Sequence, residues 1–585
     1  MDVRSTCLRL AAPLALVTGV ACQAAAPNSP QPKTPPATIG TETSATRTAP
    51  AHLQTATTPA TQTPPTTELP AGEQVSLAPV KAQVVLVDQV GYLPGHPKVG
   101  LVADAAATQF QLVDVTTSRS VYAATLGQPV KDPDTGQALR RADFSSVTQP
   151  GTYSLQVPGV GRSAEFRIDD GVYAQLYTDA FSSYESLALL APKAWQTATA
   201  KERKTGQTMD ITGGWPDAGD YGRYMPSAGC ALGTLLLLDD LFPQYAQPEQ
   251  LQVFKRELDW MLKMQRSDGA VYHKVTPLNF GGFDKGSDNI GGQLYVFDVS
   301  TPDAGVFAAV LAEAARVYRA SDPAFADRLL HAAEATWAWL QDNPKPVLPA
   351  ETEGTGGYVY GRDGTQRFWA AAELFKTTGD AAYGRYATTY LDQHPASIGG
   401  LGWGDPETYG VLSLAFNPAA DAALRDQLTQ LLRRWADSTA ASIASPADPW
   451  AVSISSFHWA SNKTTLDNAV LLLIANLVAP DRQYADSALD QLHYVLGRNA
   501  LGKSYVTGYG ANSVSNPHNR TMFSLGQVVA GVLVGGPNGD AQDGITPPSQ
   551  GQRSYVDQLQ AYASNENSIE YNAPLVFVTA LLGAT

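Results

Sequence analysis

The stretch Asp303–Ala320, DAGVFAAVLAEAARVYRA, decides the fold. Apolar residues cover one broad face at helical spacing, and its alanines allow a second helix to approach closely. The same period recurs along the chain after Tyr173. It predicts twelve helices: 173–192, 227–241, 248–265, 302–319, 323–341, 367–378, 380–393, 405–416, 419–436, 463–479, 482–496 and 565–583. They alternate with loops, several of them long and rich in Gly and aromatics. No fixed 33–45-residue repeat is present, so an open solenoid is not indicated. Twelve helices without a short repeat predict six hairpins closed into a ring, an (α/α)6 barrel over 171–585, with loops on one rim able to build a cleft.

Upstream the period changes to two. Seven short candidate strands, 82–93, 98–104, 109–117, 120–126, 139–147, 151–157 and 163–169, predict an all-β immunoglobulin-like sandwich over 80–170. Residues 23–78 are rich in Pro, Thr and Ala, as in PNSPQPKTPPATIGTETSATRTAP, and read as an extended linker without a core of its own. Residues 1–22 read as an export signal: Arg4 and Arg9 precede the short apolar run Leu10–Ala21. Gly19-Val-Ala-Cys22 resembles a bacterial lipoprotein signal, with Gly19 where Leu is usual. The expected location is therefore secreted, or lipid-anchored through Cys22 at a bacterial cell surface.

Of 585 residues, 40 are Lys or Arg and 55 Asp or Glu, a net charge of −15. That balance argues against a nucleic-acid or anionic-membrane partner and leaves a neutral polymer open. Three cysteines, Cys7, Cys22 and Cys230, make no disulfide framework. No metal-ligand spacing is found, and no cofactor is expected. Asp540 and Asp543 do not have EF-hand spacing and read as a turn.

Gly497–Ser504, GRNALGKS, matches the phosphate-binding pattern G-x-x-x-x-G-K-[ST]. That pattern needs a strand before it and a helix after it. Here a helical stretch precedes and a Gly-rich one follows, so no nucleotide site is expected.

Gly213–Ser227, GGWPDAGDYGRYMPS, sets Asp217 and Asp220 three apart beside Trp215, Tyr221 and Tyr224. Either acid would serve as a helix cap. Two together repel, raise a pKa, and have the means to grip one water and remove its proton. Ser564–Val576, SNENSIEYNAPLV, places Glu566 at the start of the last helix, where an acid is favoured anyway, with Tyr571 five residues on and Pro574 inside an apolar run. Tyr505–Arg520, YVTGYGANSVSNPHNR, carries His518 and Arg520 in a loop.

These pieces together resemble glycoside hydrolase family 9, the inverting cellulases, in the subgroup with an N-terminal immunoglobulin-like domain. VDQVGYLPGHPKVGLV (87–102), the Asp-Ala-Gly-Asp motif at 217–220, YVLGRNALGKSYVTGYG (494–510), FWAAAELFKTTGD (368–380) and LVGGPN (533–538) all resemble stretches of that family. The resemblance implies that Asp220 is the general base, Asp217 holds the water, and Glu566 is the general acid. It implies that His518 and Arg520 contact the sugar and that Tyr571 lies near the base. Asn519 departs from the His-His-Arg of many members. Thr365 and Gln366 stand where calcium-binding members carry Asp-Glu, so no calcium is expected there. Trp215, Trp403 and Trp459 are candidate stacking platforms, each also a candidate core residue. The expected activity is an endo-β-1,4-glucanase on cellulose or related β-glucans. An exo-acting member and a non-catalytic glycan-binding lipoprotein are the alternatives.

Overall fold

The computed structural model describes residues 73–132, 134–286, 289–349 and 355–583. The export signal, Cys7, Cys22 and the linker up to residue 72 lie outside the described residues. Ten short strands build the first domain: β1 Val85–Leu86, β2 Gly91–Tyr92, β3 Val99–Val102, β4 Gln109–Asp114, β5 Arg119–Thr125, β6 Val130–Lys131, β7 Ala138–Asp143, β8 Gly151–Val157, β9 Gly161–Arg162 and β10 Phe166–Ile168. One sheet runs β1-β3-β7-β6; the other runs β2-β10-β8-β4-β5, with β9 on β8. Inward residues, among them Val102, Phe110, Leu112, Phe144, Leu155 and Phe166, fill the space between. Tyr92 stands edge-on to Phe144 and Phe166, each at 5.2 Å.

The strands correct two expectations. The single strand expected over 82–93 is broken at Asp88 into β1 and β2, which belong to different sheets. Asp88 turns the chain by accepting from the backbone N–H groups of Val90 (2.7 Å) and Gly91 (3.0 Å). The extended linker also ends earlier than residue 78: Val75 N donates to Ser118 O and Ser120 N to Glu73 O, so the chain lies on the sandwich from Glu73 onward.

The second domain is the (α/α)6 barrel. Its helices are α1 Ala174–Leu190, α2 Lys193–Gln196, α3 Met225–Leu241, α4 Pro248–Lys263, α5 Thr301–Tyr318, α6 Pro323–Asp342, α7 Gly364–Thr378, α8 Ala381–Gln393, α9 Glu407–Ala415, α10 Ala422–Ile443, α11 Ser461–Val478, α12 Arg482–Val495, α13 Arg520–Leu525, α14 Tyr562–Asn565 and α15 Ile569–Gly583. α2, α13 and α14 are short; the other twelve are those read from the sequence. Helices α3, α5, α7, α9, α11 and α15 are buried over most of their surface. Helices α1, α4, α6, α8 and α10 bury one stripe each, and α12 buries one face in its first turns and all sides at its C-terminal end. A helix apolar all round belongs inside and an amphipathic one outside; their strict alternation along the chain gives six inner and six outer helices. α15 packs against both α3 and α11 and closes the ring. Among the described residues no helix is long and apolar enough to cross a membrane.

Helix α10 runs seven residues past its expected end at 436. The last helix starts at Ile569 rather than 565, which leaves Glu566 outside it in an extended conformation, φ −82° and ψ 140°. Five short strands not expected from the sequence, β11 Thr199–Glu202, β12 Thr208–Asp210, β13 Arg223–Tyr224, β14 Lys274–Thr276 and β15 Tyr295–Val296, form a sheet in the order β12-β11-β15-β14-β13.

The stretch Gly497–Ser504 lies between the domains. Gly497 (φ 130°) faces Val87 and Gln89, and Gly502 (φ 53°) faces Ala82 O, which a Cβ would approach to 2.1 Å. Both glycines answer a left-handed backbone and a close neighbour. Lys503 donates to Asp557 Oδ2 (2.7 Å) and Ser513 O (2.8 Å). Asp88, fully buried, accepts from Tyr173 Oη (3.1 Å) and His493 Nδ1 (2.9 Å), both in the second domain.

Candidate active site

The Asp217–Asp220 turn lies between the sheet and the C-terminal segment. Asp217 N donates to Gly222 O at 3.0 Å, which closes the turn, and Asp217 O accepts from Ile569 N at 2.8 Å, the first residue of α15. Gly219 N donates to Glu566 Oε1 at 3.0 Å, across 347 residues of sequence. Gly219 O accepts from Arg520 N (2.9 Å) and Nη1 (3.0 Å). His518 N donates to Asn565 O at 2.9 Å, and His518 pairs with Glu566 as an isolated parallel bridge. Hydrogen bonds to the backbone thus join Asp217, Asp220, Glu566, His518 and Arg520 into one floor.

Each acid has its own surroundings. Asp217 Oδ2 accepts from Tyr358 Oη at 2.8 Å, and Asp220 Oδ2 accepts from Tyr224 Oη at 2.9 Å. Burial and then the Asp220 charge push Asp217 well above the usual carboxylate range. Burial also raises Asp220, but Arg520, the Tyr224 hydroxyl, the Gly222 N–H and Lys274 all oppose it. Both acids are raised overall; of the pair, Asp220 has the contacts that favour its charge. Glu566 is pushed up to about 8, first by burial and then by the Asp220 charge, against the pull of Arg520 and the Gly219 N–H. An acid whose contacts favour its charge, beside one raised to about 8, is the pairing that acid–base chemistry needs.

The sequence profile of glycosyl hydrolase family 9 matches residues 174–579, a span that holds the aspartate turn, the His518–Arg520 loop and Glu566. The chain belongs to glycosyl hydrolase family 9. Residues 80–162 match the cellulase N-terminal ig-like domain. Endoglucanase D of Acetivibrio thermocellus is 30% identical over 532 residues, 85% of this chain and 83% of that protein. The xyloglucan-specific endo-beta-1,4-glucanase BoGH9A of Bacteroides ovatus is 30% identical over 573 residues, 87% of this chain and 95% of that protein. A metagenome-derived glycoside hydrolase family 9 endoglucanase of known structure superposes with a TM-score of 0.80 at 34% identity, covering 86% of this chain and 99% of that one. This family 9 chain is accordingly a glycoside hydrolase of the cellulase class.

The remaining expected residues fall into place unequally. His518 Nδ1 lies 2.6 Å from Leu559 O; a carbonyl only accepts, so Nδ1 carries the proton and Nε2 is left as an acceptor. Burial and Arg520 lower His518 to about 4, so it is neutral. Arg520 Nε donates to Gly281 O (2.7 Å), and its guanidinium lies over Phe283 (4.6 Å) and Phe280 (5.2 Å). Two of its three side-chain nitrogens are thus committed to backbone, and the residue brackets the 281 loop to the aspartate turn. Asn519 is held by protein partners: its Nδ2 reaches Ala218 O (3.2 Å) and Asn567 Oδ1 (3.0 Å), and its Oδ1 caps α13 at Met522 N. Tyr571 Oη accepts from Trp459 Nε1 at 2.7 Å, which fixes a half-buried indole. Trp403 is half-buried, edge-on to Tyr358 at 5.1 Å.

Trp215 is a core residue and not the sugar platform expected of it. It is 1% exposed and packs on Tyr184 with ring centroids 4.5 Å apart, so it presents no face for a sugar. The sequence carries no signal for Tyr358 or Lys274, and it shows Tyr224 only as an aromatic near the acids. The two tyrosines hold the aspartates from outside their motif. Among the described residues no group of three or more His, Cys, Asp or Glu gathers as a metal site. Asp543 serves a turn instead, accepting from Ile545 N, Thr546 N and Ala563 N. Asp540 pairs with His458 at 3.0 Å.

Proposed function

We propose that this enzyme is an endo-β-1,4-glucanase acting on cellulose or related β-glucans, with inversion at the cleaved carbon. Asp220 takes the proton of the attacking water, Asp217 orients that water, and Glu566 protonates the leaving glycosidic oxygen. Inversion requires the base and the acid to stand roughly 6.5–9.5 Å apart, with room for the water between. The environments support the roles that the resemblance implies: Asp220 has neighbours that stabilise a charge, and Glu566, raised to about 8, holds its proton at neutral pH. His518 Nε2 is the nitrogen that accepts a sugar hydroxyl, and the Trp459 face stacks on a pyranose ring.

The observation that carries this reading is the 3.0 Å bond from Gly219 N to Glu566 Oε1, which ties the C-terminal acid to the residue next to Asp220. The endo mode is supported by the endoglucanases among the relatives. Export, with Cys22 as a lipid anchor, is part of the same proposal and rests on the charged and apolar pattern of residues 4–22.

The test is reducing-sugar release from a panel of soluble β-linked glucans. Wild type should release mixed product lengths from a β-1,4-glucan. Asp220→Ala and Glu566→Gln should each lose about 10²–10⁴-fold in kcat. A wild type inactive on every β-glucan would favour a binding protein and overturn the proposal.

A further inference from the structure

Lys274 opens β14 and is fully buried, with Tyr224 opposite it across the β13–β14 pair. A buried ammonium needs partners that justify its desolvation. Its Nζ donates to Thr355 Oγ1 (2.7 Å) and Gly356 O (2.8 Å) and lies 4.6 Å from the Phe297 ring centroid and 5.5 Å from that of Tyr224. The residue before it, His273, donates from Nε2 to Gly357 O (3.1 Å), while its Nδ1 faces Asp303 Oδ2 at 2.7 Å. Two successive residues thus grip three successive residues of one loop.

That loop serves the site. Gly356 N–H bonds the Tyr224 hydroxyl, which in turn donates to Asp220 Oδ2. Two residues on, Tyr358 donates to Asp217 Oδ2 from a left-handed backbone, φ 45°. A tyrosine keeps such a conformation only where its surroundings impose it. The Tyr224 and Tyr358 rings pack at 4.9 Å, so the two bonds to the two aspartates are mechanically linked.

We infer that Lys274 is a positioning residue for the aspartate pair: it anchors the 355–358 turn through which Tyr224 and Tyr358 reach Asp220 and Asp217, and it sets a positive charge behind Asp220. This rests on the reading of Asp220 as the base. Asp220 is faced by Asp217 on its own turn, Glu566 from the segment after α14, Arg520 from α13, Tyr224 from β13 and Lys274 from β14. Lys274 is faced by Asp220, which favours its charge, and by Arg203, which opposes it. Burial lowers it to about 7, so the ammonium is charged on the acid side of neutrality, where the base gains its proton.

The experiment measures kcat, KM and the pH profile of kcat/KM on a soluble β-1,4-glucan for full-length Lys274→Met, Thr355→Val and Asp220→Ala, with circular dichroism as the control for folding. Lys274→Met should lower kcat about 10-fold or more with KM within about two-fold, and should move the acid limb to higher pH, because the base loses a stabilising cation. Thr355→Val removes one anchor but no charge; kcat should fall while the acid limb stays. If Lys274→Met does not fold, Thr355→Val decides alone. An unmoved acid limb in folded Lys274→Met, or a wild-type kcat in Thr355→Val, overturns the inference. Activity surviving in Asp220→Ala would instead show that the base assignment had failed.

Discussion

Substituting alanine for Gly219 adds a single methyl at the point where three segments meet. The new Cβ would stand 2.0 Å from His518 O and 2.8 Å from both Glu566 Oε1 and His518 Cδ2. Ordinary contact between carbon and oxygen is about 3.3 Å or more, so the aspartate turn must retreat by about 1 Å. His518 O is backbone, fixed by the His518 N to Asn565 O bond, and cannot rotate away. The retreat breaks the 3.0 Å bond from Gly219 N to Glu566 Oε1 and disturbs the pair of bonds from Arg520 to Gly219 O. A misplacement of about 1 Å between reacting groups costs on the order of 10²-fold in rate, or about 2.7 kcal/mol at the transition state. Overpacking removes a further ~1–3 kcal/mol of stability. Steady-state kinetics on a soluble β-1,4-glucan and urea unfolding read the two effects separately. Gly219→Ala should keep a folded barrel and lose about 100-fold in kcat. A kcat within about three-fold of wild type would refute the claim that this contact sets the spacing of base and acid.

Two further predictions concern charge. Glu566 must hold its proton to act, so the alkaline limb of kcat/KM should fall near its value of about 8. Its folded-state pKa is raised from 4.5, so the stability it contributes is complete below that value and is lost as pH rises through about 8. Glu566→Gln cannot ionise, and its melting temperature relative to wild type should climb as pH rises over the same window; a constant difference would contradict the shift. Asp88→Ala removes an acceptor from His493 and two backbone N–H groups at a fully buried seam, and leaves Tyr173 its bond to Gly91 O. It should destabilise the protein by about 3 kcal/mol in denaturant unfolding, and a loss under about 1 kcal/mol would mean that the domains dock without it.

The helices were legible because burial writes itself into period. DAGVFAAVLAEAARVYRA reads as a helix with one broad apolar face, and its alanines let it bury most of its surface as an inner helix. Helix ends were less so: the stretch over 565–583 looks continuous, yet Glu566 stays extended, held by Gly535 N on its own carbonyl and paired with His518. The aspartate motif and Glu566 were legible as acids set close together or near a helix start, and the resemblance supplied their roles. What was not legible was anything made by a loop. Tyr358 lies 141 residues from Asp217 in a segment with no periodicity, and its backbone sits where a tyrosine is not expected. Lys274 lies in β14, a strand that the sequence does not announce, and nothing local shows that it is buried. Trp215 misled for the opposite reason: an aromatic beside two acids suggests a sugar platform, but the ring turns inward onto Tyr184.

In the proposed mechanism Asp220 and Glu566 act from opposite faces of the sugar in a single displacement. Following the first product from a defined cello-oligosaccharide by ¹H NMR, within the first turnovers and before mutarotation, tests it most directly. With inversion, the new reducing end appears as the α-anomer and only later equilibrates. A β-anomer formed first would mean retention through a covalent intermediate, and would contradict the roles of both acids.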